Sequence, residues 1–337
     1  MKLFTIAAND AGQRLDKFLQ KAAPGLPPAL LYKALRTKRV KLNRKRAEGG
    51  VRLQPGDVVE CWLPDELFAP PDYQYDFLRA GRELEVLFED EHVLLLDKPA
   101  GLLSHPDGDE YIDTLLGRVQ RYLYEKGEYD PARENAFAPA LVNRIDRNTQ
   151  GIVIAAKTAA ALRILSEKMK NRELRKFYLC AVHGVPTQGE KIPQEACGLR
   201  WDPELPGGWF LLRGWLAKDE DKSFVRVYET PRPGAKECLT KYKVLRTMND
   251  ISILEIELLT GRTHQIRAQF AALGHALAGD GKYAPRAQVQ ADRKRGLRRQ
   301  CLCSHRIVFG FTSPAGALEG LRGLDISVKS AAFLKYL

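Results

Sequence analysis

Long apolar segments are missing from this sequence of 337 residues. It has no stretch of about 18 to 20 apolar residues, the length that a helix needs to cross a bilayer. No apolar signal segment follows the opening Met1-Lys2-Leu3-Phe4. These absences argue against a membrane-spanning or secreted protein. We therefore expect no membrane partner and a cytoplasmic location.

Cysteine is also scarce, and its six copies are dispersed along the chain, so a disulfide framework is not indicated. Cys301, Cys303 and His305 resemble part of a zinc site, but a tetrahedral site needs a further ligand group of comparable quality, and none stands out. Alternating strand positions explain their spacing better, so we expect no metal site. The cysteines are Cys61, Cys180, Cys197, Cys238, Cys301 and Cys303.

Basic residues are abundant: Lys and Arg outnumber Asp and Glu by 53 to 42, which gives a formal charge of +11. Such a charge concentrates a polyanion near the protein surface. RNA, DNA and an anionic membrane all fit this charge, and the lack of apolar segments argues against the membrane. No feature indicates an obligate protein partner, and we expect a monomer.

The length of the chain favours two domains. Residues 1–63 contain two apolar groups at helical spacing, followed by alternating segments joined by a Pro-Gly turn, and predict a small α+β domain. Residues 64–80 include Pro64 and Pro70, lack apolar periodicity and predict a connector. Residues 81–337 form the larger second domain.

A dense basic cluster lies within the first of these domains. Its charge density exceeds that of an ordinary solvated helix face, so we expect it to contact phosphates, although a solvated surface remains the alternative. The cluster consists of Arg36, Lys38, Arg39, Lys41, Arg44, Lys45 and Arg46.

The second domain alternates short apolar segments with turns and helical patterns. Helices are predicted over 158–171 and 263–273, and a second basic segment, 293–299, precedes the closing strand. The fold class is therefore α+β (mixed α/β), with a large, mostly antiparallel mixed sheet. Its strands are predicted at 86–88, 93–96, 152–156, 177–182, 242–248 and 251–259.

The most informative segment is a polar loop that contains Asp146 and ends at Gly151, just before an apolar strand. Arg144 and Arg147 flank the carboxylate, and nearby positive charge favours its ionised form. The pattern fits a poised catalytic anion. It fits equally an ion pair that only holds the loop.

Four motifs in this order resemble those of the RluA family of RNA pseudouridine synthases. Residues 143–151 resemble the central motif of that family, His-Arg-Leu-Asp-Arg-Asp-Thr-Ser-Gly. The resemblance spans residues 85 to 310, roughly. The other matching segments are 86–106 with its Lys-Pro-Ala-Gly, 175–182, and 260–267 followed by Leu273-Gly274-His275 and Gly279-Asp280.

The resemblance implies roles for individual residues. Asp146 is the essential carboxylate, acting either as the nucleophile on the sugar or as the base that removes a ribose proton. Tyr178 stacks on the uracil and takes part in proton movement. Arg267 pairs with the catalytic carboxylate through bidentate hydrogen bonding. Arg144 enters the RNA near the vacated stack, which offsets part of the cost of extruding a base.

Three further residues are implied to contact RNA: Arg147 in the central motif, and Arg262 and His264 near the start of a helix. For the last two, either phosphate or structural contacts are expected. The isomerisation of uridine involves no redox step, so the resemblance implies no metal or nucleotide cofactor.

The first domain is similar to the small S-four-like RNA-binding domain that many family members carry. The chain departs from the family at Asn143, Asn148 and Gln150, and at the pair Cys303-Ser304. None of these positions is the matched Asp. The departures therefore put substrate contacts in question rather than the catalytic carboxylate.

By resemblance, large-subunit ribosomal RNA is the expected substrate, and transfer RNA is the alternative with the same chemistry. A different class is a non-catalytic RNA-binding or ribosome assembly factor, against which the joint presence of Asp146, Tyr178 and Arg267 argues. A carboxylate glycosidase would need a second acid as proton donor. The Asp146 motif contains none.

Overall fold

The computed structural model describes residues 1–69, 72–108, 110–186, 200–201, 208–219 and 224–337. Strands in these residues form two separate sheets, one of four strands and one of twelve.

The small sheet belongs to the first unit of the chain and is antiparallel throughout, in the order β1-β4-β2-β3. Two helices pack on it. The helical spacing of Leu15, Phe18 and Leu19 buries all three against Phe4 and Val59 of the sheet. The elements are β1 (Lys2–Thr5), α1 (Leu15–Ala22), α2 (Pro28–Arg36), β2 (Val40–Leu42), β3 (Lys45–Arg46) and β4 (Val58–Cys61).

The predicted connector contains two 3-10 helices, Asp65–Phe68 and Asp72–Arg79. Phe68 is buried in the core of the first unit, whereas Phe77 is buried in a core of the large sheet. These two aromatic side chains of the connector thus fill apolar sites on both sides of it.

The large sheet has the strand order β10-β11-β13-β14-β9-β15-β8-β6-β5, with β12 on β11, β16 on β15 and β7 on β8. Only β8 and β15 pair in parallel among these described strands. The predicted mixed, mostly antiparallel sheet is thus confirmed. Its strands are β5 (Val86–Glu89), β6 (Val93–Lys98), β7 (Ala140–Leu141), β8 (Gln150–Ala156), β9 (Leu174–His183), β10 (Arg200–Trp201), β11 (Phe210–Lys218), β12 (Val225–Tyr228), β13 (Lys236–Met248), β14 (Ile251–Leu258), β15 (Leu302–Phe309) and β16 (Asp325–Ser327).

Helices cover both faces of this sheet. In β6, Leu94 and Leu96 join a core with α3 and α5, whereas Val93 and Leu95 join a second core with α4. Because both faces are covered, the first four residues of β6, 93–96, form a continuous apolar run. The helices are α3 (Leu115–Glu125), α4 (Ala159–Lys170), α5 (Gln265–Ala272) and α6 (Arg286–Lys294), and the 3-10 helices are Gly316–Leu321 and Ala332–Tyr336.

The six strands predicted for the second domain are present, and α4 and α5 lie within their predicted ranges. The prediction missed α3, α6, β7, β10, β11, β12 and β16. Two of these, β11 and β12, lie on the outer side of β13, where β11 pairs with β13 and β12 pairs with β11.

The two units contact each other through polar groups. Asn9 accepts a hydrogen bond from the backbone N–H of Ala159 at 3.2 Å and donates one to Glu134 at 3.2 Å. Asn135 donates to the Asp10 carboxylate at 2.8 Å. These bonds join the first unit to the start of α4 and to the loop after α3.

Gly151 is the tightest point of the large sheet. Its φ is +119°, and a Cβ there would lie 2.2 Å from the carbonyl oxygen of Ser304 on β15. The parallel pairing of β8 with β15 therefore requires glycine at this position. This pairing also fixes the end of the loop that carries Asp146.

We predict that Gly151→Ala lowers the free energy of unfolding by about 2–4 kcal/mol, since it combines a disfavoured φ with a backbone clash. Gly320→Ala is the matched control, because a Cβ there meets nothing within 4 Å. Urea unfolding measures both variants. Equal stability of the two would show that the strand pairing tolerates a side chain.

Candidate active site

A cleft of about 550 Å³ opens between the loop from β7 to β8 and the start of α5. The sheet register aligns its walls: Tyr178 on β9 pairs with Ser304 on β15, and Ser304 pairs with Gly151 on β8. The Asp146 loop, which leads into Gly151, therefore faces the same cleft as Tyr178. The polar side chains that line it include Arg144, Asp146, Lys176, Tyr178, Arg262, His264 and Arg267.

Arg267 joins two carboxylates at the floor of the cleft. Its Nη1 donates to Oδ2 of Asp146 at 2.9 Å. Its Nε and Nη2 donate to the two oxygens of Asp280 at 2.7 and 2.9 Å. The side chain of Asp280 is fully buried, whereas that of Asp146 is 25% exposed. The bidentate pairing expected for Asp146 is therefore wrong: Asp280 is the bidentate partner that anchors the guanidinium, and Asp146 accepts one bond and is presented to the cleft.

The charge of Asp280 depends on this contact. Burial raises the pKa of the Asp280 carboxyl, but the hydrogen bonds and charge of Arg267 outweigh burial, so the pKa lies below its ordinary value. Backbone N–H groups of Lys282 and Tyr283 also donate to Asp280, at 3.0 and 3.2 Å. Asp280 is thus a fixed anion that orients Arg267.

Hydrogen bonds hold the backbone of the Asp146 loop. The Ser104 hydroxyl donates to the carbonyl of Ile145 at 2.9 Å, and the Thr149 N–H donates to the carbonyl of Asp146 at 3.0 Å. The Gly101 N–H donates to the carbonyl of Arg147 at 2.7 Å. The loop is therefore fixed on both sides of the carboxylate.

Lys98, at the end of β6, is fully buried and reinforces the same loop. Its ammonium donates to the carbonyls of Pro99, Leu102 and Arg147 at 2.9, 2.7 and 3.1 Å. Burial lowers the pKa of Lys98 to about 7, against the attraction of nearby Asp146. A lysine of the Lys-Pro-Ala-Gly segment thus lies directly beneath the Asp146 loop.

His264 precedes α5 with a left-handed φ of 54°. Its Nε2 lies 3.7 Å from Oδ2 of Asp146. Burial lowers the pKa of His264, so the imidazole is neutral at pH 7. Arg262 is exposed and donates to the carbonyl of Glu237 at 3.1 Å. The structure therefore brings His264 to the carboxylate, while Arg262 lies at the edge of the cleft.

Tyr178 is buried on β9 with its side chain on the cleft. Burial raises the pKa of Tyr178 to about 12, and the charge of Asp146 adds to the rise. At neutral pH its hydroxyl is therefore protonated. It can donate a hydrogen bond in the cleft.

A family model described as "RNA pseudouridylate synthase" matches residues 92–272, more than half of the chain. The chain belongs to the RNA pseudouridylate synthase family. This confirms the resemblance that the four motifs indicated. The synthase is accordingly an isomerase that converts uridine to pseudouridine in RNA.

Relatives of the synthase cover most of its length. "Ribosomal large subunit pseudouridine synthase C" of Vibrio cholerae is 30% identical over 95% of this chain and 92% of its own. The protein of the same name from Haemophilus ducreyi is 30% identical over 98% and 94%. In a solved structure, "Human RNA Pseudouridylate Synthase Domain Containing 4", the fold is similar, with a TM-score of 0.53 and 18% identity over 75% of this chain and 90% of that chain.

The other predicted RNA-contacting residues lie outside the floor of the cleft. Arg144 and Arg147 are exposed on the Asp146 loop, and Arg147 donates to the carbonyl of Gly101 at 3.1 Å. The basic cluster lies on the first unit, from the end of α2 to β3, and is exposed except at Lys41. The ammonium of Lys41 lies 4.8 Å from the ring centroid of Trp62.

Cys301 and Cys303 are buried on and beside β15, and burial raises the pKa of both thiols. Cys197 lies outside the described residues. Within the residues that the structure covers, no group of three or more His, Cys, Asp or Glu side chains could hold a metal ion. No helix in the same residues is long and apolar enough to cross a membrane.

Three residues that orient the site had no role in the sequence predictions. Asp280 and Lys98 both lie in segments that match the family motifs. The neighbouring sequence did not indicate that Asp280 binds Arg267 or that Lys98 binds backbone carbonyls. Tyr283, whose hydroxyl lies 2.9 Å from Nδ1 of His264, gave no signal at all.

Lys98 predicts a pH effect on stability. Its unfolded pKa is 10.5 and its folded pKa is about 7, so between these values the unfolded chain holds a proton that the folded chain lacks. The free energy of unfolding then rises with pH, by up to about 1.4 kcal/mol per unit. In Lys98→Met this contribution is absent. The free energy of unfolding of the unmodified protein should therefore rise relative to that of the variant as pH rises from 7 to 9, and the gap between the two should widen.

Urea unfolding at several pH values measures this gap, with the exposed Lys21→Met as the control. A gap that stays constant with pH would show that Lys98 keeps its proton throughout the folded state.

Proposed function

We propose that the synthase isomerises uridines of large-subunit ribosomal RNA in the cytoplasm, acting as a monomer with Asp146 as its catalytic carboxylate. The names of relatives that match along more than nine-tenths of their length support the ribosomal substrate. The observation that carries the catalytic assignment is the pairing of Asp146 with Arg267 at the floor of the cleft.

The orientation of Asp146 suits attack on a ribose. Arg267 and His264 both approach Oδ2, and no hydrogen bond from the described residues reaches Oδ1. A carboxylate that is held by one oxygen leaves the other free, either to attack the sugar or to remove a ribose proton. The donors are in place before substrate arrives, which lowers the cost of reaching the transition state.

Other side chains of the cleft are placed to contact the uracil. Isomerisation breaks the carbon–nitrogen glycosidic bond, turns the uracil in place and joins one of its carbons to the ribose. The ring of Tyr178 offers a surface for stacking, and its protonated hydroxyl can donate to a uracil oxygen. Arg144, exposed above the cleft, would enter the RNA where the base has left its stack.

The charges in the cleft argue against glycoside hydrolysis. That reaction needs a second carboxylic acid to protonate the leaving group. Asp146 is the only carboxylate among the described residues that line the cleft, because Asp280 lies behind Arg267 with both oxygens bonded.

Two alternatives concern the biological role. Transfer RNA would use the same residues, and only the identity of the modified RNA separates it from ribosomal RNA. A non-catalytic assembly factor would have no need for a complete set of Asp146, Tyr178 and Arg267 in one cleft. Mapping pseudouridines in total RNA from cells with and without the gene separates these roles.

The first unit, residues 1–63, is proposed to be an S-four-like RNA-binding domain. Six of the seven residues of the basic cluster are exposed, and none of the seven forms an ion pair with a described acidic residue. They are therefore available for phosphates.

Asp146→Asn should reduce turnover at least about 1,000-fold while RNA affinity stays within a few-fold, because Asn keeps the size but lacks the anionic oxygen. Tritium release from RNA labelled at uracil carbon 5 measures turnover. Asp76→Asn, a surface change beside Arg79, is the control. Near-normal turnover in Asp146→Asn would overturn the assignment.

The basic cluster predicts salt-dependent binding. In a triple variant, Arg39→Gln, Arg44→Gln and Lys45→Gln, affinity should fall, and the slope of log affinity against log salt should drop by about 0.7–0.9 per lost phosphate contact. The single-turnover rate at saturating RNA should not change, because the variant leaves the cleft intact.

The matched control removes three exposed charges from the helices of the same unit: Lys17→Gln, Lys21→Gln and Lys33→Gln. Both variants lose the same charge, so a general field effect would weaken them equally. Equal salt slopes in the two variants would mean that the basic cluster is only a solvated surface.

A further inference from the structure

Tyr283 contacts three groups around the catalytic cleft. Its hydroxyl lies 2.9 Å from Nδ1 of His264 and 3.1 Å from the backbone nitrogen of Val225 on β12. Its ring centroid lies 5.2 Å from Cζ of Arg267 and 5.6 Å from the ring of His264. His264 and Arg267 are the two side chains that approach Oδ2 of Asp146.

The two hydrogen bonds of this hydroxyl favour one arrangement of its proton. The Val225 N–H can only donate, so the Tyr283 oxygen accepts that bond. The O–H of Tyr283 is then free to donate, and Nδ1 of His264 is its only partner at hydrogen-bond distance among the described residues. In this arrangement Nδ1 accepts the bond and carries no proton.

A neutral imidazole with an unprotonated Nδ1 carries its proton on Nε2. This nitrogen faces Oδ2 of Asp146 at 3.7 Å. The charged groups around the ring oppose one another: Asp146 and Asp280 favour a protonated imidazole, whereas Arg267 and Lys282 disfavour it. Burial favours the neutral form.

We propose that Tyr283 is a positioning residue that holds His264 as the neutral Nε2–H tautomer and thereby directs a second donor, beside Arg267, at Oδ2 of Asp146. The proposal rests on the proposed function, because it takes Asp146 as the catalytic carboxylate. At 3.7 Å the contact is longer than a hydrogen bond, as catalytic contacts often are in the absence of substrate. Two donors on Oδ2 leave Oδ1 directed at the ribose.

The position of Tyr283 also gives β12 a function. The Val225 N–H fixes the phenol oxygen, and the Phe224 ring packs edge-on against the Tyr283 ring at 5.1 Å. The outer strands of the large sheet thereby support a side chain of the cleft.

The test removes only the hydroxyl, with Tyr283→Phe, which keeps the ring over Arg267. We expect kcat to fall about tenfold, the loss of one hydrogen bond in the transition state, with KM changed less than about twofold. Tyr122→Phe is the control, because it removes a phenol hydrogen bond of 2.8 Å to Glu89 outside the cleft.

A spectroscopic readout separates positioning from stability. Long-range proton–nitrogen spectra of protein with nitrogen-15 histidine should show His264 as the Nε2–H tautomer. In Tyr283→Phe they should show a tautomer mixture, with the pKa of His264 raised because a donor to its neutral form is gone. The acid limb of the pH–rate profile should move upward with it.

A double variant tests whether Tyr283 acts through His264. His264→Gln offers an amide N–H near the position of Nε2 and has no tautomer to set. In this background Tyr283→Phe should change kcat by less than about twofold, because coupled residues are not additive. A tenfold loss in both backgrounds would overturn the proposal.

An Nδ1–H tautomer in the unmodified protein would overturn the proposal as well. The spectra do not depend on turnover. If Asp146→Asn retained activity, the proposed function would fail while the tautomer of His264 stayed as assigned, so the two failures are distinguishable.

Discussion

The guanidinium of Arg267 is the group on which the organisation of the site depends. It is buried, and a buried charge is tolerated only when it is paired and hydrogen-bonded. Asp280 accepts two of its three hydrogen bonds to carboxylates and neutralises it. Asp146 accepts the remaining bond and is still 25% exposed. The site therefore contains a carboxylate that is fixed in direction and open to substrate.

The backbone beneath the carboxylate is fixed by a different means. Lys98 and Gly101 both donate to the carbonyl of Arg147, and Ser104 donates to that of Ile145. At Gly151 the strand approaches its neighbour too closely for a side chain. These contacts all come from the protein itself. The loop is thus ordered before RNA binds, and binding energy can be used for the base and the sugar.

The sequence predicted the strands beside the Asp146 loop and the helix that carries Arg267, because each leaves a local pattern, whereas the role of Asp146 was implied by the family resemblance. The partners of these residues were not predictable. Asp280 contacts Arg267 only in the folded chain. Lys98 is a charged residue, which sequence alone would place on the surface, but in the fold it is buried at the end of β6. Helix α3 is a different case: Leu115, Val119 and Leu123 follow helical spacing, so its signal was present and was missed.

In the proposed function, the basic cluster that binds RNA and the cleft that carries out the reaction lie in different units. Each unit buries its own core, and the bonds of Asn9 and Asp10 between them are polar, so the basic cluster can vary without disturbing the cleft. The exposed charges of the first unit attract the phosphates that come within a Debye length of about 8–10 Å, whichever nucleotide is modified. Extruding a base costs a few kcal/mol at one nucleotide. On the proposed function, charges beside the cleft are placed to offset that local cost, and Arg144 and Arg147 are exposed on the same loop as Asp146.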